Sequence, residues 1–173
     1  MKIDKPNAGS YPASFDIYIS KVPSGNLLEL LLTIHYETID LITSVDLETQ
    51  HYRYEQGKWN IKEIIQHLID TERIFIYRAM CIARGEQQHL LGFDENDYVA
   101  NSNASSRDMN DLAREFSVIR ASSIEFLKSL GNDELQMQGT ANGQLVTPVA
   151  IAYALLGHEI HHINVIEHKY INQ

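Results

Sequence analysis

Three histidines crowd into one short stretch near the end of the chain, Gly157-His158-Glu159-Ile160-His161-His162-Ile163-Asn164. On a helix, residues four apart sit about 40° apart around the axis and one turn along it, so His158 and His162 can turn two imidazoles toward one ion. His161, three residues from His158, competes for the same role. Ile151, Ala154, Leu155 and Val165 share the face of His158 and His162 at helical period, which directs the pair inward. An imidazole buried without a partner costs roughly 1–3 kcal/mol, so an inward pair is either metal-bound or hydrogen-bonded. The residue types alone leave both readings open.

The same residues fit the HExxH pattern of zinc proteases, with His168 where a metzincin would have its third histidine. A metzincin turns its chain at a glycine three residues after the second histidine; here that position is Val165. If the helix continues, His168 lies about 120° around and about 9 Å along from His162, out of reach. The protease reading is therefore set aside.

A third ligand has to come from another element, and His67 is the best placed by type and setting. Glu63, Ile64, Asp70, Thr71 and Ile74 flank it on its own helix face. Glu63, Asp70 or Thr71 could accept the second ring N–H and fix the tautomer, as ligating histidines require.

The elements that must position these residues are helical. Residues 1–23 carry three of the four prolines, Pro6, Pro12 and Pro23, and read as an irregular lead-in. The run from Leu27 to Ile34 opens a first helix over about 24–44. Asn60 with Glu63 forms a capping-box pattern for a second helix, which runs to Arg84 and stops at Gly85. The connection from Gly85 to about Ser105 is unusually long and marks a candidate functional loop. Ser105 or Ser106 is expected to cap a third helix that ends at Leu130 and Gly131. Thr147 and Pro148 then start a fourth, which continues nearly to Tyr170. With no convincing strand alternation, the expectation is an all-α four-helix bundle, one domain over 1–173, with a long connection between helices two and three.

The chain has 173 residues, 44% of them apolar, enough for one core. Its 14 Lys+Arg against 23 Asp+Glu give a formal charge of -9, and the basic residues are scattered singly. That balance repels a phosphate backbone, so nucleic acid is not an expected partner. No apolar run has the length of a membrane span, and the first residues lack the apolar stretch of a secretory signal, so a cytoplasmic location is expected. The single cysteine, Cys81, agrees with a reducing compartment and reads as a small core residue.

Gly57-Lys58-Trp59-Asn60-Ile61-Lys62-Glu63, His67-Leu68-Ile69-Asp70-Thr71-Glu72-Arg73, Gly92-Phe93-Asp94-Glu95 and the segment from Gly157 to His162 together resemble the DinB-like superfamily, over about residues 24–170. The resemblance implies a four-helix bundle, commonly a homodimer, holding a divalent metal on three histidines. By position these fall on His67, His158 and His162, with His161 as the neighbour that does not bind.

Three neutral histidines leave coordination positions open, as a catalytic metal requires. Such an ion can activate water or hold a thiolate. The expected partner is therefore a small-molecule substrate. Transfer of a low-molecular-weight thiol, suggested by characterised relatives, stands first, metal-dependent hydrolysis second, and a non-enzymatic metal-binding dimer third. Zinc, nickel and iron all suit imidazole. Glu159 faces about 100° away from His158 and is a poor base. Arg73, Arg78 and the loop around Glu95 are candidates for a thiol's polar head, although both arginines also read as surface ion pairs. Tyr36, His35, Trp59 and Tyr153 could line a pocket or simply fill the core.

Overall fold

The computed structural model describes residues 2–172. Four long helices form the bundle: α2 (Leu27–Ser44), α4 (Ile61–Ala83), α6 (Met109–Lys128) and α8 (Pro148–Ile166), with short helices between them. Helix α4 packs against both α8 and α6, and α6 packs against α2. The sequence signals for α4 and α8 hold in detail. The Asn60 side chain accepts from Glu63 N while the Glu63 carboxylate accepts from Asn60 N, and the Thr147 side chain accepts from Ala150 N ahead of Pro148. Both caps satisfy amides that the first helical turn leaves unpaired.

Several boundaries differ from expectation. The lead-in is not wholly irregular: Ala13–Ile19 forms a helix, α1, that lies along α8. A short helix α3 (Leu47–His51) follows α2. The long connection after Gly85 contains α5 (Glu95–Asn101), capped by Asp94, and a single 3-10 turn over Ala104–Ser106. Asp108, rather than Ser105 or Ser106, caps α6, because the serines fall in that 3-10 turn and the chain extends again at Arg107. After α7 (Asn132–Gln136), Gly139–Ala141 and Gln144–Val146 pair as antiparallel β1 and β2, a two-stranded hairpin. Helix α8 passes into a π-helical turn over Glu167–Ile171.

All four long helices meet at one buried ion cluster. Arg120 on α6 donates to both carboxylate oxygens of Glu72 on α4, to Glu159 Oε2 on α8 at 2.8 Å, and to the Leu31 carbonyl on α2. Thr38 on α2 donates to Glu159 Oε1 at 2.9 Å. Burial alone would favour the neutral guanidine, but Glu159 and Glu72 reverse this and hold Arg120 above its ordinary pKa. Apolar clusters lie to either side, around Leu31, Leu127 and Tyr153 at one end and around Ile65, Phe116 and Ile166 at the other. Among the described residues no helix is long and apolar enough to cross a membrane.

Candidate metal centre

His67 sits two turns inside α4 and His158 and His162 lie one turn apart on α8, so the packing of α4 on α8 brings all three onto one spot. His67 Nε2 is 3.0 Å from His158 Nε2, and His158 Nε2 is 3.1 Å from His162 Nε2. A donor atom from each lies within 4.8 Å of the other two.

Hydrogen bonding alone accounts poorly for this convergence. A ring nitrogen carries either one hydrogen or one lone pair, so His158 Nε2 can serve only one of its two neighbours at full strength. Four-coordinate metal–nitrogen bonds of about 2.0–2.1 Å place ligand nitrogens roughly 3.3 Å apart, close to the spacing seen here. The donor set thus fits a divalent ion.

All three rings are held neutral. Burial lowers His67 to a pKa of about 4 and His162 to about 3, and burial with the neighbouring histidines drives His158 well below the ordinary value. Neutral imidazole is the ligating form, so little proton competition opposes a metal near pH 7.

Of the three groups expected to orient His67, only Thr71 is in place, its hydroxyl 3.5 Å from Nδ1. Glu63 is committed to the α4 cap, Arg53 and Ser105, while Asp70 bonds Gln66 and Arg73. Trp59 packs over the site, its ring 4.8 Å from His67 and stacked at 6.4 Å on His162. Tyr18 from α1 lies edge-on to His158 at 5.2 Å. Helix α1 can come this close because residue 157 is glycine: a Cβ there would stand 2.1 Å from the Tyr18 carbonyl oxygen.

The three histidines form one end of a cavity of about 360 Å³. Helix α4 lines it with His67, Thr71, Phe75 and Arg78, α1 with Ser14, Phe15 and Tyr18, and the hairpin with Asn142 and Gln144. Glu95 is the single carboxylate among the described lining residues. Gly92 lets the connection after α4 close down on the hairpin, since a Cβ there would meet Asn142 Oδ1 at 2.2 Å.

The other sequence candidates sort by place. His161 lines the cavity beside the trio without joining it. His168 turns away to the Asn164 carbonyl, which agrees with setting the protease reading aside. Glu159 is locked in the ion cluster and cannot act on the cavity. Arg73 is the surface ion-pairing residue expected, bonded to Asp70 and Glu115, whereas Arg78 is buried with no carboxylate partner among the described residues. Trp59 reaches the cavity; His35 and Tyr153 are core, and Tyr36 is exposed. Cys81 is half-buried rather than in the core.

The contributions of α1 and the hairpin escaped the sequence reading. Asn142-Gly143, with both residues at positive φ, is a hairpin-turn signal that was available. Nothing in the lead-in sequence indicated that Tyr18 would reach a histidine.

A family model described as the DinB superfamily matches residues 31–166. No curated protein matches the chain. Among solved structures, one described as YfiT from Bacillus subtilis, "a probable metal-dependent hydrolase with an unusual four-helix bundle topology", is similar with a TM-score of 0.73. The two are 14% identical, and the similarity covers 83% of this chain and 81% of that one. At that identity the likeness speaks for the fold.

Proposed function

Because this chain belongs to the DinB superfamily, we propose that it is a divalent-metal-dependent hydrolase of a small molecule, with the metal on His67, His158 and His162. One observation carries the reading: three neutral imidazoles converge at the end of a cavity of the size that small ligands fill. The name given to the similar B. subtilis structure agrees with it.

When bound, a divalent ion supplies Lewis acidity, polarising a substrate oxygen and making water nucleophilic near neutral pH. The chain's own groups do the rest. Thr71 orients the His67 ring, and Trp59, Phe75 and Phe15 supply apolar wall to the cavity. Glu95, the single carboxylate among the described lining residues, would serve as proton acceptor for the attacking water where a bound substrate brings that water within its hydrogen-bond reach.

Transfer of a low-molecular-weight thiol is the second reading. It uses the same three histidines and draws on Arg78, a cation within the cavity that would hold a thiol's polar head.

The test is elemental analysis of untagged protein, followed by ester, amide and thiol-transfer substrate panels on the metal-loaded form. A near-stoichiometric metal, lost in His67→Ala and His158→Ala, together with hydrolysis reduced in Glu95→Gln, supports the first reading. Turnover only with a thiol present supports the second. A tightly held metal with no turnover and no exchangeable ligand leaves a structural role.

A further inference from the structure

We infer that the far end of this cavity from the histidines is an anion subsite built on Arg78, so that the substrate carries a carboxylate or phosphate group at the end remote from the reacting one. The inference deepens the proposed function and rests on it for the position of the reacting end.

Arg78 is 8% exposed and lines the cavity. Its guanidinium lies 6.0 Å from the Phe75 ring centroid and 5.8 Å from that of Phe93, and Nη2 donates to the Leu91 carbonyl at 2.6 Å. No carboxylate pairs with it among the described residues, whereas the other buried arginine, Arg120, has two. A guanidinium offers five N–H donors in a planar fork suited to carboxylate or phosphate, and the Leu91 bond uses one of them. A largely buried cation without a counter-ion is costly, and an anionic ligand group entering the cavity would supply the missing charge.

Its position on α4 fixes what lies between. Thr71, Phe75 and Arg78 follow His67 by four, eight and eleven residues, which places them within about 80° of its direction and spreads them over roughly 16 Å of helix. The cavity wall therefore runs from metal-ligating ring to hydroxyl to aromatic face to guanidinium. From the hairpin, Gln144 adds an amide whose Oε1 already accepts from Ser14 at 2.8 Å, leaving its NH2 to donate. A molecule with an apolar middle and an anionic tail complements this order. Recognition is local, since the chain as a whole carries a charge of -9 and would otherwise repel such a ligand.

The test titrates 3-phenylpropionate and its uncharged amide, 3-phenylpropionamide, following the fluorescence of Trp59, the single tryptophan, which lines the cavity. Both metal-loaded and chelator-treated protein are used, so that carboxylate binding to a metal is separated from binding to Arg78. The chelator-treated wild type is expected to prefer the carboxylate by roughly tenfold or more, as a charge-assisted hydrogen bond gives. Arg78→Met should abolish the preference, leaving the two probes bound about equally, and Arg78→Lys should restore part of it. Arg78→Gln, which keeps a donor for the Leu91 carbonyl without the charge, should lose the preference as well and separates the charge from the loss of that bond. Equal binding of both probes by the chelator-treated wild type, or a preference that persists in Arg78→Met, overturns the inference. Acetohydroxamate, which needs only a metal, is titrated in parallel: its failure to bind metal-loaded protein counts against the metal reading and leaves the Arg78 result standing.

Discussion

Arg120 Nη2 on α6 donates to Glu159 Oε2 on α8 at 2.8 Å, with both side chains 1% exposed. Glu159 follows His158 directly, so the bond that fixes one face of α8 in the ion cluster also fixes the rotation that presents His158 to His67. Arg120→Met would leave Glu72 and Glu159 buried without a cation. The expected loss of stability is about 3–5 kcal/mol, measured by urea unfolding. A loss below about 1 kcal/mol would mean that the cluster is solvated and does not fix the helices.

Metal removal should loosen the α4–α8 seam. A ligand present at a thousand times its Kd stabilises the folded state by about 4 kcal/mol, which for a chain of this size is a Tm shift on the order of 10 °C. Chelation of the wild type should lower Tm by that order, while His67→Ala and His162→Ala should show no chelator-dependent shift. Equal shifts in wild type and variants would place the metal elsewhere.

His35 gives a pH dependence that can be isolated from the proposed metal ligands. Burial, with Arg120 nearby, lowers its pKa from 6.5 to about 4. Its Nε2 is 3.0 Å from Ser117 Oγ and its ring lies edge-on to Phe116. The unfolded chain therefore takes up this proton first as pH falls, and the stability contributed by the neutral ring is complete above 6.5 and lost toward 4. The contribution lost between pH 7 and pH 5 is about 2 kcal/mol. His35→Gln, compared with the wild type in the metal-loaded state by urea unfolding at both pH values, should lose less over this interval by that amount. Parallel losses would show that His35 does not titrate as its burial requires.

Gly157→Ala tests the seat of α1. The added methyl would stand 2.1 Å from a backbone oxygen, Tyr18 O, which cannot rotate away as a side chain can. Helix α1 must move, carrying Tyr18 from its place against His158. The expected cost is about 1–3 kcal/mol, with faster proteolysis within residues 13–19. Unchanged stability and protection would show that α1 is not docked as described.

Local signals made much of the fold legible. The capping box at Asn60 and Glu63 and the Thr147-Pro148 start announced α4 and α8, because a cap is satisfied by residues within one turn. Spacing along α8 likewise put His158 and His162 on one inward face, since helical period is a property of the chain alone. The start of α6 shows where such local signals stop: Ser105 and Ser106 are good caps by type, but Asp108 has the extended backbone that a cap needs.

The rest depended on which elements pack together. His67 stands 91 residues before His158, and only the docking of α4 on α8 sets the 3.0 Å between their Nε2 atoms. No short-range pattern records that Glu159 meets Arg120, that Tyr18 closes over His158, or that Arg78 turns into the cavity while Arg73 stays on the surface among acids. The sequence determined the four long helices, the inward face of α8 and the residue types available as ligands. Tertiary structure decided the cavity and its uncompensated cation, because these depend on distances between helices that are set jointly by side chains far apart in the chain.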